Sequence, residues 1–475
     1  MMKRKLQALA LLAFLLVGAS CEREQGKPLL IEPGKTITDG GFLGLSIQSP
    51  NQVVLRSTET DPMKQVSSVS LLFYNSSSHL LEHVREFKVS SPSELSKLVV
   101  KLPVADYDLI VVANAGDKLR AAFNPGAPLS DFSTPKNMRG LDLFDSARGV
   151  FMTNEQGAVS VPSSAFATAT EAVQSAISVT IEPALARVLV YGTPKLSRGV
   201  KGAAKPMYQV ANQAKQVTLL RQMNKLSDGA DERAGDNSLR EHRYAKSSYW
   251  DVWEQSRPQT IEDIAYYSAG KDNVTEMQVQ VKERYEDFSA QLSQSFLYAK
   301  ETTLPPNSYL EGITPCVTIA YPYVPQGLQL ADDEGWVSYK GRYYRENDVR
   351  AMLRSTSQAT DPELVEAMRQ NRIDETTFVS SKGFETAGIR FYYKAYNYYT
   401  VYIRHFSTDV PTSGYGKYGI VRGNEYRIKI AEIASAGSPV PPSYKGNMKP
   451  ITDHKASDIS VRIAEITQRD QEVQL

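Results

Sequence analysis

Leu43, Leu45 and Ile47 alternate with small or polar residues, the period-two pattern of a half-buried strand. A polar segment carrying Arg56 follows, and Val66, Val69, Leu71 and Phe73 open a second strand-like run. VSSVSLLFYN (66–75), KLVVKLPVADYDLIVVANAGD (97–117) and ARVLVYGTPKL (186–196) are β-branched runs closed by Asn, Gly or Pro, which predicts strands ending in turns. RGVFMTNEQGAVSVP (148–162) reads as a strand pair joined by a turn at Gln156-Gly157. From about Lys201 to Pro305 the chain is charged, and two of its three tryptophans sit there in SSYWDVWEQ. Strands resume from Pro315 in CVTIAYPYV, GWVSYKGRYYREN, IRFYYKAYNYYTVYIRH and YGIVRGNEYRIKIAEI. Asp361 followed by Pro362 marks a helix start in ATDPELVEAMRQ. A Pro/Ser/Gly linker, SAGSPVPPSYKGNMKP, precedes the tail SDISVRIAEITQRDQEVQL. The pattern predicts a mainly β chain of two β-rich domains with a few short helices, a joint near residue 195, and detachable strands at both ends.

The N-terminus has a different pattern. Lys3, Arg4 and Lys5 precede an apolar run from Leu6 to Val17, and Gly18-Ala19-Ser20 leads into Cys21. Such a run is too short to cross a bilayer, which needs about 20 residues, so it reads as an export signal. The cysteine behind small residues resembles a bacterial lipobox, with Gly18 where leucine is usual, and this makes Cys21 the expected lipidation site. Residues 22–41 are polar and rich in Gly, Pro and Thr, as in a tether.

At 475 residues the chain has material for two to three domains. Lys and Arg number 54 against 53 acidic residues, a net charge of +1; without a basic field, nucleic acid is not an expected partner. The 26 tyrosines favour strands and exposed adhesive surfaces over helix bundles. Of the two cysteines, Cys316 lies in an apolar run; with Cys21 acylated no disulfide forms in the mature chain, and Cys316 reads as a small buried strand residue.

Candidate chemistry is sparse. His79-Leu80-Leu81-Glu82-His83 spells H-x-x-E-H, a zinc-protease pattern that requires both histidines on one helix face and a third ligand downstream. Here it follows a strand and three serines, and a polar hairpin is the simpler reading. A G-x-S-x-G elbow, a P-loop and paired-cysteine metal spacing do not occur. FYYKAYNYYTVY (391–402) interleaves aromatics with one lysine, a pattern suited to stacking on sugars or bases. Only alternate residues of a strand share a face, so half of these tyrosines are expected in the core. No catalytic residues, metal or cofactor are expected.

Taken together, VSSVSLLFYN with LIVVANAGD, RGVFMTNE, ALARVLV, FLYAKETT with CVTIAYPY, YGIVRGNEYRIKIAEI and SDISVRIAEITQRDQEVQL resemble, in order and spacing, the fimbrillins of Bacteroidales, lipoprotein precursors of type V pili. The resemblance implies two β-sandwich-like (transthyretin-like) domains: residues 1–20 as signal, 21–56 as lipidated propeptide with the first strand, 57–195 as the N-terminal domain, 196–440 as the C-terminal domain with a charged insert, and 441–475 as linker and donor-strand appendage. It implies export to the outer membrane as a lipoprotein, then removal of the first strand by an arginine-specific protease. Arg56 and Ser57 are the expected cut site, with Leu43, Leu45 and Ile47 on the departing strand. The vacated groove would take the tail of another fimbrial subunit, with Ile459, Val461 and Ile463 on its inserting face. Ile466 follows Glu465 where many fimbrillin tails place tryptophan, which leaves the register from Ala464 onward open. Shaft and accessory roles, with a contribution to adhesion, both fit this reading. The alternative is a monomeric outer-membrane lipoprotein that binds glycan or host protein through the tyrosine-rich second domain.

Overall fold

The computed structural model describes residues 29–31, 40–48, 61–139, 142–223, 245–248, 250, 264–265, 277, 279–294, 297–305, 308–405, 416–444, 446–451, 463–464 and 468–474. The fold is mainly β. In the N-terminal part the strands are β1 (Leu29–Ile31), β2 (Gly41–Gln48), β3 (Ser68–Asn75), β4 (Leu81–Lys88), β5 (Leu98–Leu102), β6 (Tyr107–Ala113), β7 (Met152–Asn154) and β8 (Val159–Val161). The helix α1 (Ala169–Gln174) and the strand β9 (Ile177–Pro183) complete it. One layer runs β1-β5-β2-β9 and the other β9-β7-β6-β3-β4, with β8 beside β6. Strand β9 serves both layers: Ile177–Thr180 pair in parallel with Leu45–Gln48, and Ile181–Pro183 pair antiparallel with Asn154–Met152. Leu43, Leu45, Ile47, Val100 and Leu102 of one layer meet Val69, Leu71, Phe73, Leu109 and Val111 of the other in a closed apolar core, the packing of a β-sandwich.

Residues 148–162 do not form the hairpin that their sequence suggests. Strands β7 and β8 both lie antiparallel along the same edge of β6, end to end. Asn154 fills the break between them. Its side-chain oxygen accepts from Val111 N at 2.7 Å, and its amide donates to Leu109 O at 3.0 Å and Gly157 O at 2.8 Å. The side chain thus stands in for ladder bonds that the intervening turn interrupts.

The chain then enters the second β region with β10 (Leu185–Tyr191), β11 (Met207–Ala211), β12 (Tyr298–Lys300) and β13 (Cys316–Pro325). It leaves for a lobe made of β14 (Trp336–Tyr339), β15 (Arg342–Arg345), α2 (Glu346–Arg354), α3 (Pro362–Gln370), α4 (Glu375–Ser380), β16 (Phe384–Thr386) and β17 (Ile389–Tyr392), and returns as β18 (Tyr396–Tyr402) and β19 (Glu425–Ile433). The tail adds β20 (Ile463–Ala464) and β21 (Gln468–Gln474). Strand β10 pairs with β12 and, in parallel, with β19. The crossing into the second region therefore falls at Pro183–Ala184, ahead of the strand that the sequence reading assigned to the first domain. Strand β13, buried along its whole length, lies between β11 and β18. Cys316 is fully buried at its start, where burial pushes its thiol up to about 12. The span read as a charged insert thus opens with an internal strand, β11, which is too short to stand out by periodicity.

The run FYYKAYNYYTVY is split between two sheets. Residues up to Tyr392 finish β17 in the lobe, Lys394 and Ala395 turn the chain with φ of 51° and 59°, and Tyr396 starts β18 in the body. The lobe has its own four-stranded sheet, in the order β15-β14-β17-β16, and its own core around Val337, Val349, Leu364, Met368, Phe378 and Phe391. Helix α3 starts where the sequence places it, with the Asp361 carboxylate accepting from Leu364 N at 3.0 Å.

The two β regions share a core. Alternate residues Leu72, Ile110 and Val112 turn away from the sandwich interior and join Val188, Val190, Tyr426 and Ile428. The Arg422 guanidinium at this junction is fully engaged. Arg422, in the turn before β19 and 1% exposed, donates from Nε to Glu301 at 3.0 Å and from its Nη atoms to the carbonyls of Leu219 at 2.9 Å and Thr218 at 2.7 Å. Removing one partner of such a pair leaves the other charged and buried, so Arg422→Ala is expected to lower unfolding free energy by about 3–5 kcal/mol. Urea denaturation measures this, and a loss below about 1 kcal/mol would show that solvent replaces the pairing.

Candidate functional site

Strand β2 is an interior strand. Gly41–Leu45 pair antiparallel with Leu102–Leu98 of β5, and Leu45–Gln48 pair in parallel with Ile177–Thr180 of β9. Above β9 the same edge is closed by Ala167, which exchanges two backbone bonds with Phe42, at 3.0 and 2.9 Å. Strand β2 is therefore paired on both edges, with β5 over Gly41–Leu45 and with Ala167 and β9 at Phe42 and Leu45–Gln48. Leu43, Leu45 and Ile47 are buried in the sandwich core, the face their spacing predicts. On the outer face, Gly44 lies beneath α1, and a Cβ there would stand 1.7 Å from Ala172 O. Only glycine permits that approach.

Helix α1 is fixed by a capping box: Thr168 Oγ1 accepts from Glu171 N, while the Glu171 carboxylate accepts from Thr168 N at 3.1 Å. Strand β1, in the segment read as a tether, pairs in parallel with β5 along Leu98–Val100. Strand β5 thus has a strand from the N-terminal segment on each side.

Burying three side chains of this size contributes on the order of 5–9 kcal/mol, and each net ladder bond adds about 1 kcal/mol. These gross gains oppose the ordering entropy of the strand, about 1–2 kcal/mol per residue.

Just downstream, the chain is pinned at Asp61. Its carboxylate accepts from Arg187 Nη1 at 2.6 Å and Nη2 at 3.1 Å, and Arg187 Nε donates to Glu425 at 2.6 Å. Tyr285 OH and Arg427 Nε also donate to Glu425, at 3.0 and 2.6 Å. Met63 is buried in the shared core, and Pro62 O accepts from Val150 N at 3.0 Å. Burial raises the Asp61 carboxyl, but the Arg187 guanidinium outweighs it and holds the group below its ordinary value. The sequence alone did not single out Asp61 or Arg187, because the partners lie 126 positions apart.

Cys21, Arg56, Ser57, Ile459 and Val461 lie outside the described residues. Ile463 falls in β20, which pairs antiparallel with β21; β21 in turn runs parallel to β19 from Glu425↔Gln468. The backbone of the described tail is thus placed along the edge of the second sheet. The H-x-x-E-H motif has no helix. His79 sits in a turn with φ of 54° and its Nδ1 is 3.2 Å from the Asp108 carboxylate, while His83 lies in β4 against the ring of Tyr107. Among the described residues no group of three or more His, Cys, Asp or Glu is placed to hold a metal.

Residues 390–472 match the family model described as the C-terminal part of the major fimbrial subunit protein type IV, fimbrillin. That span is fimbrillin-like. No curated protein was found to match the sequence. Similar solved structures include a fimbrilin (FimA) of Porphyromonas gingivalis, at 12% identity, TM-score 0.40, covering 91% of this chain and 96% of that one. Another is a Parabacteroides distasonis protein provisionally assigned to cell adhesion, at 10% identity, TM-score 0.42, covering 91% and 98%. The tip fimbrial protein Mfa3 of P. gingivalis aligns at 11% identity, TM-score 0.31, covering 60% of this chain and 81% of that one.

Two outcomes follow from the geometry. Gly44→Ala forces β2 and α1 apart, at a cost of about 1–3 kcal/mol or more; in hydrogen exchange the amides of β2 are expected to lose protection while those of β19 keep theirs. Unchanged protection at β2 would refute the close approach. Asp61→Asn is expected to destabilise the protein near pH 7 by about 1–3 kcal/mol. Because the folded-state pKa of Asp61 is depressed, its contribution exists above the unfolded value and disappears as pH falls through the folded one. The gap between variant and parent should therefore narrow as pH falls below the ordinary carboxylate value, and a gap constant with pH would rule out the charge pairing as its source.

Proposed function

We propose that this chain is a structural subunit of a surface fimbria, exported as an outer-membrane lipoprotein through Cys21 and polymerised by strand exchange after an arginine-specific protease removes its N-terminal segment. The observation that carries this reading is the interior position of β2 in a segment that ends upstream of a firmly held Asp61. Arg56 lies between Gln48 and Asp61 in the sequence. A cut there frees β1 and β2 while leaving the body of the sandwich covalently intact.

The consequences are physical. Loss of both strands strips β5 of its neighbours and bares one edge of β9 along Ile177–Thr180. Unpaired backbone groups flank apolar sockets that held Leu43, Leu45 and Ile47. Such a groove favours strand addition, in which main-chain bonds give affinity and alternate side chains give register. The donor is the tail of another fimbrial subunit, with Ile459, Val461 and Ile463 alternating onto one face. Donation from head to tail does not close on itself and grows a filament. The polymer contributes to adhesion by displaying its lobes along the fimbria. A second reading, a monomeric surface lipoprotein that binds glycan or host protein, draws support from that lobe, which strand exchange does not require.

Treating the purified exported chain with an arginine-specific protease tests the proposal. A new N-terminus at Ser57 and a ladder of heat-sensitive multimers on an unheated denaturing gel are expected. Deleting residues 457–475 should leave the cut and abolish the ladder. Resistance at Arg56, or cutting that yields monomer alone, would remove the polymerisation mechanism.

A further inference from the structure

The lobe between β13 and β18 has its own core, and at its seam with the body it forms a cleft of about 600 Å³. Residues 327–329, which follow β13, form one wall, and β15 with α2 forms the other. Tyr343 stands in this cleft with half of its surface exposed, at 50%. Its ring is held edge-on by Trp336, with centroids 5.6 Å apart. Trp336 is fully buried, stacks on Tyr392 at 3.8 Å, and donates from Nε1 to Tyr323 O at 3.0 Å. An exposed ring on a fixed support gives an apolar platform that loses little conformational freedom on binding.

The polar groups divide in two. Around the cleft the cations are committed: Arg345 donates to Glu334 at 3.0 Å, and Arg350 pairs with Glu346. Tyr344 OH donates to Asp361. By contrast, the side chains of Gln329, Asp348 and Ser355 line the cleft and have no hydrogen-bond partner among the described residues. They offer a carboxylate, an amide and a hydroxyl, which are acceptors and donors without a surplus cation.

This combination selects a ligand class. A phosphate or sulfate ester needs an available cation, and Asp348 repels it. An acyl chain needs continuous apolar walls, which the polar side chains interrupt. A pyranose ring presents an apolar face of C–H groups and a rim of hydroxyls that both donate and accept. We infer that the cleft binds a neutral oligosaccharide, stacked on Tyr343 and hydrogen-bonded at its hydroxyls by Asp348 and Gln329. This site is independent of strand exchange, and the unprocessed monomer is expected to bind.

Calorimetric titration of the full, unprocessed chain with maltohexaose, mannohexaose, xylohexaose and chitohexaose tests it, with a heparin hexasaccharide as the anionic comparison. At least one neutral hexasaccharide is expected to bind, and Tyr343→Ala and Asp348→Ala are each expected to weaken it tenfold or more. Tyr343→Phe should retain binding, because the ring is what stacks. Both positions are exposed, so thermal unfolding should shift little, and Tyr343→Phe keeps the contact with Trp336. Binding by none of the four, stronger binding of the heparin fragment, or an affinity indifferent to Tyr343→Ala would each overturn the inference.

Discussion

The two-sided pairing of β2 constrains the N-terminal sandwich. A strand that ends a sheet can leave at the cost of one ladder, whereas β2 holds β5 on one edge and Ala167 with β9 on the other. Its apolar face supplies part of the closed core between the two layers. In the proposed exchange both ladders and the burial must be lost before a replacement gains them, which opposes spontaneous loss of β2. Severing the covalent link downstream changes the kinetics and leaves the contacts as they were. This gives a proteolytic step a physical role in the proposed assembly.

The position of Asp61 complements that arrangement. Beyond the segment that contains Arg56, the chain is fixed by a carboxylate in the fork of Arg187, by a buried methionine and by the backbone bond from Val150 N to Pro62 O. Arg187 belongs to β10 and Glu425 to β19, so the pin connects the start of the first sandwich to the second sheet. The shared apolar cluster does the same with side chains. The two β regions are coupled at this seam, and the groove left by β2 would open on the face of the sandwich away from it, because Leu43, Leu45 and Ile47 belong to the other cluster.

The lobe follows a different logic. It is inserted between adjacent strands of one sheet, carries its own core, and meets the body through Trp336, which donates from Nε1 to Tyr323 O of β13 and packs with Val324. An insertion with independent packing can vary without disturbing the register of β13 and β18, so a recognition surface is physically easier to place here than on the sandwich.

The sequence by itself determined the strand-rich class, the inward face of β2, the start of α3 and the burial of Cys316, because each depends on local periodicity or on a cap within a few residues. Tertiary structure decided the rest. It placed β7 and β8 along one edge of β6, where Asn154 reaches three backbone groups that no spacing rule anticipates. It moved Leu185–Tyr191 into the second sheet, since a buried apolar strand is compatible with either core. It divided FYYKAYNYYTVY at two residues of positive φ, which lysine and alanine do not advertise. It joined Asp61 to Arg187 and Tyr343 to Trp336, contacts set by how sheets stack and where chains return. Local pattern fixes which face of a strand is buried, but the choice of neighbour rests on long-range packing that a linear sequence does not display.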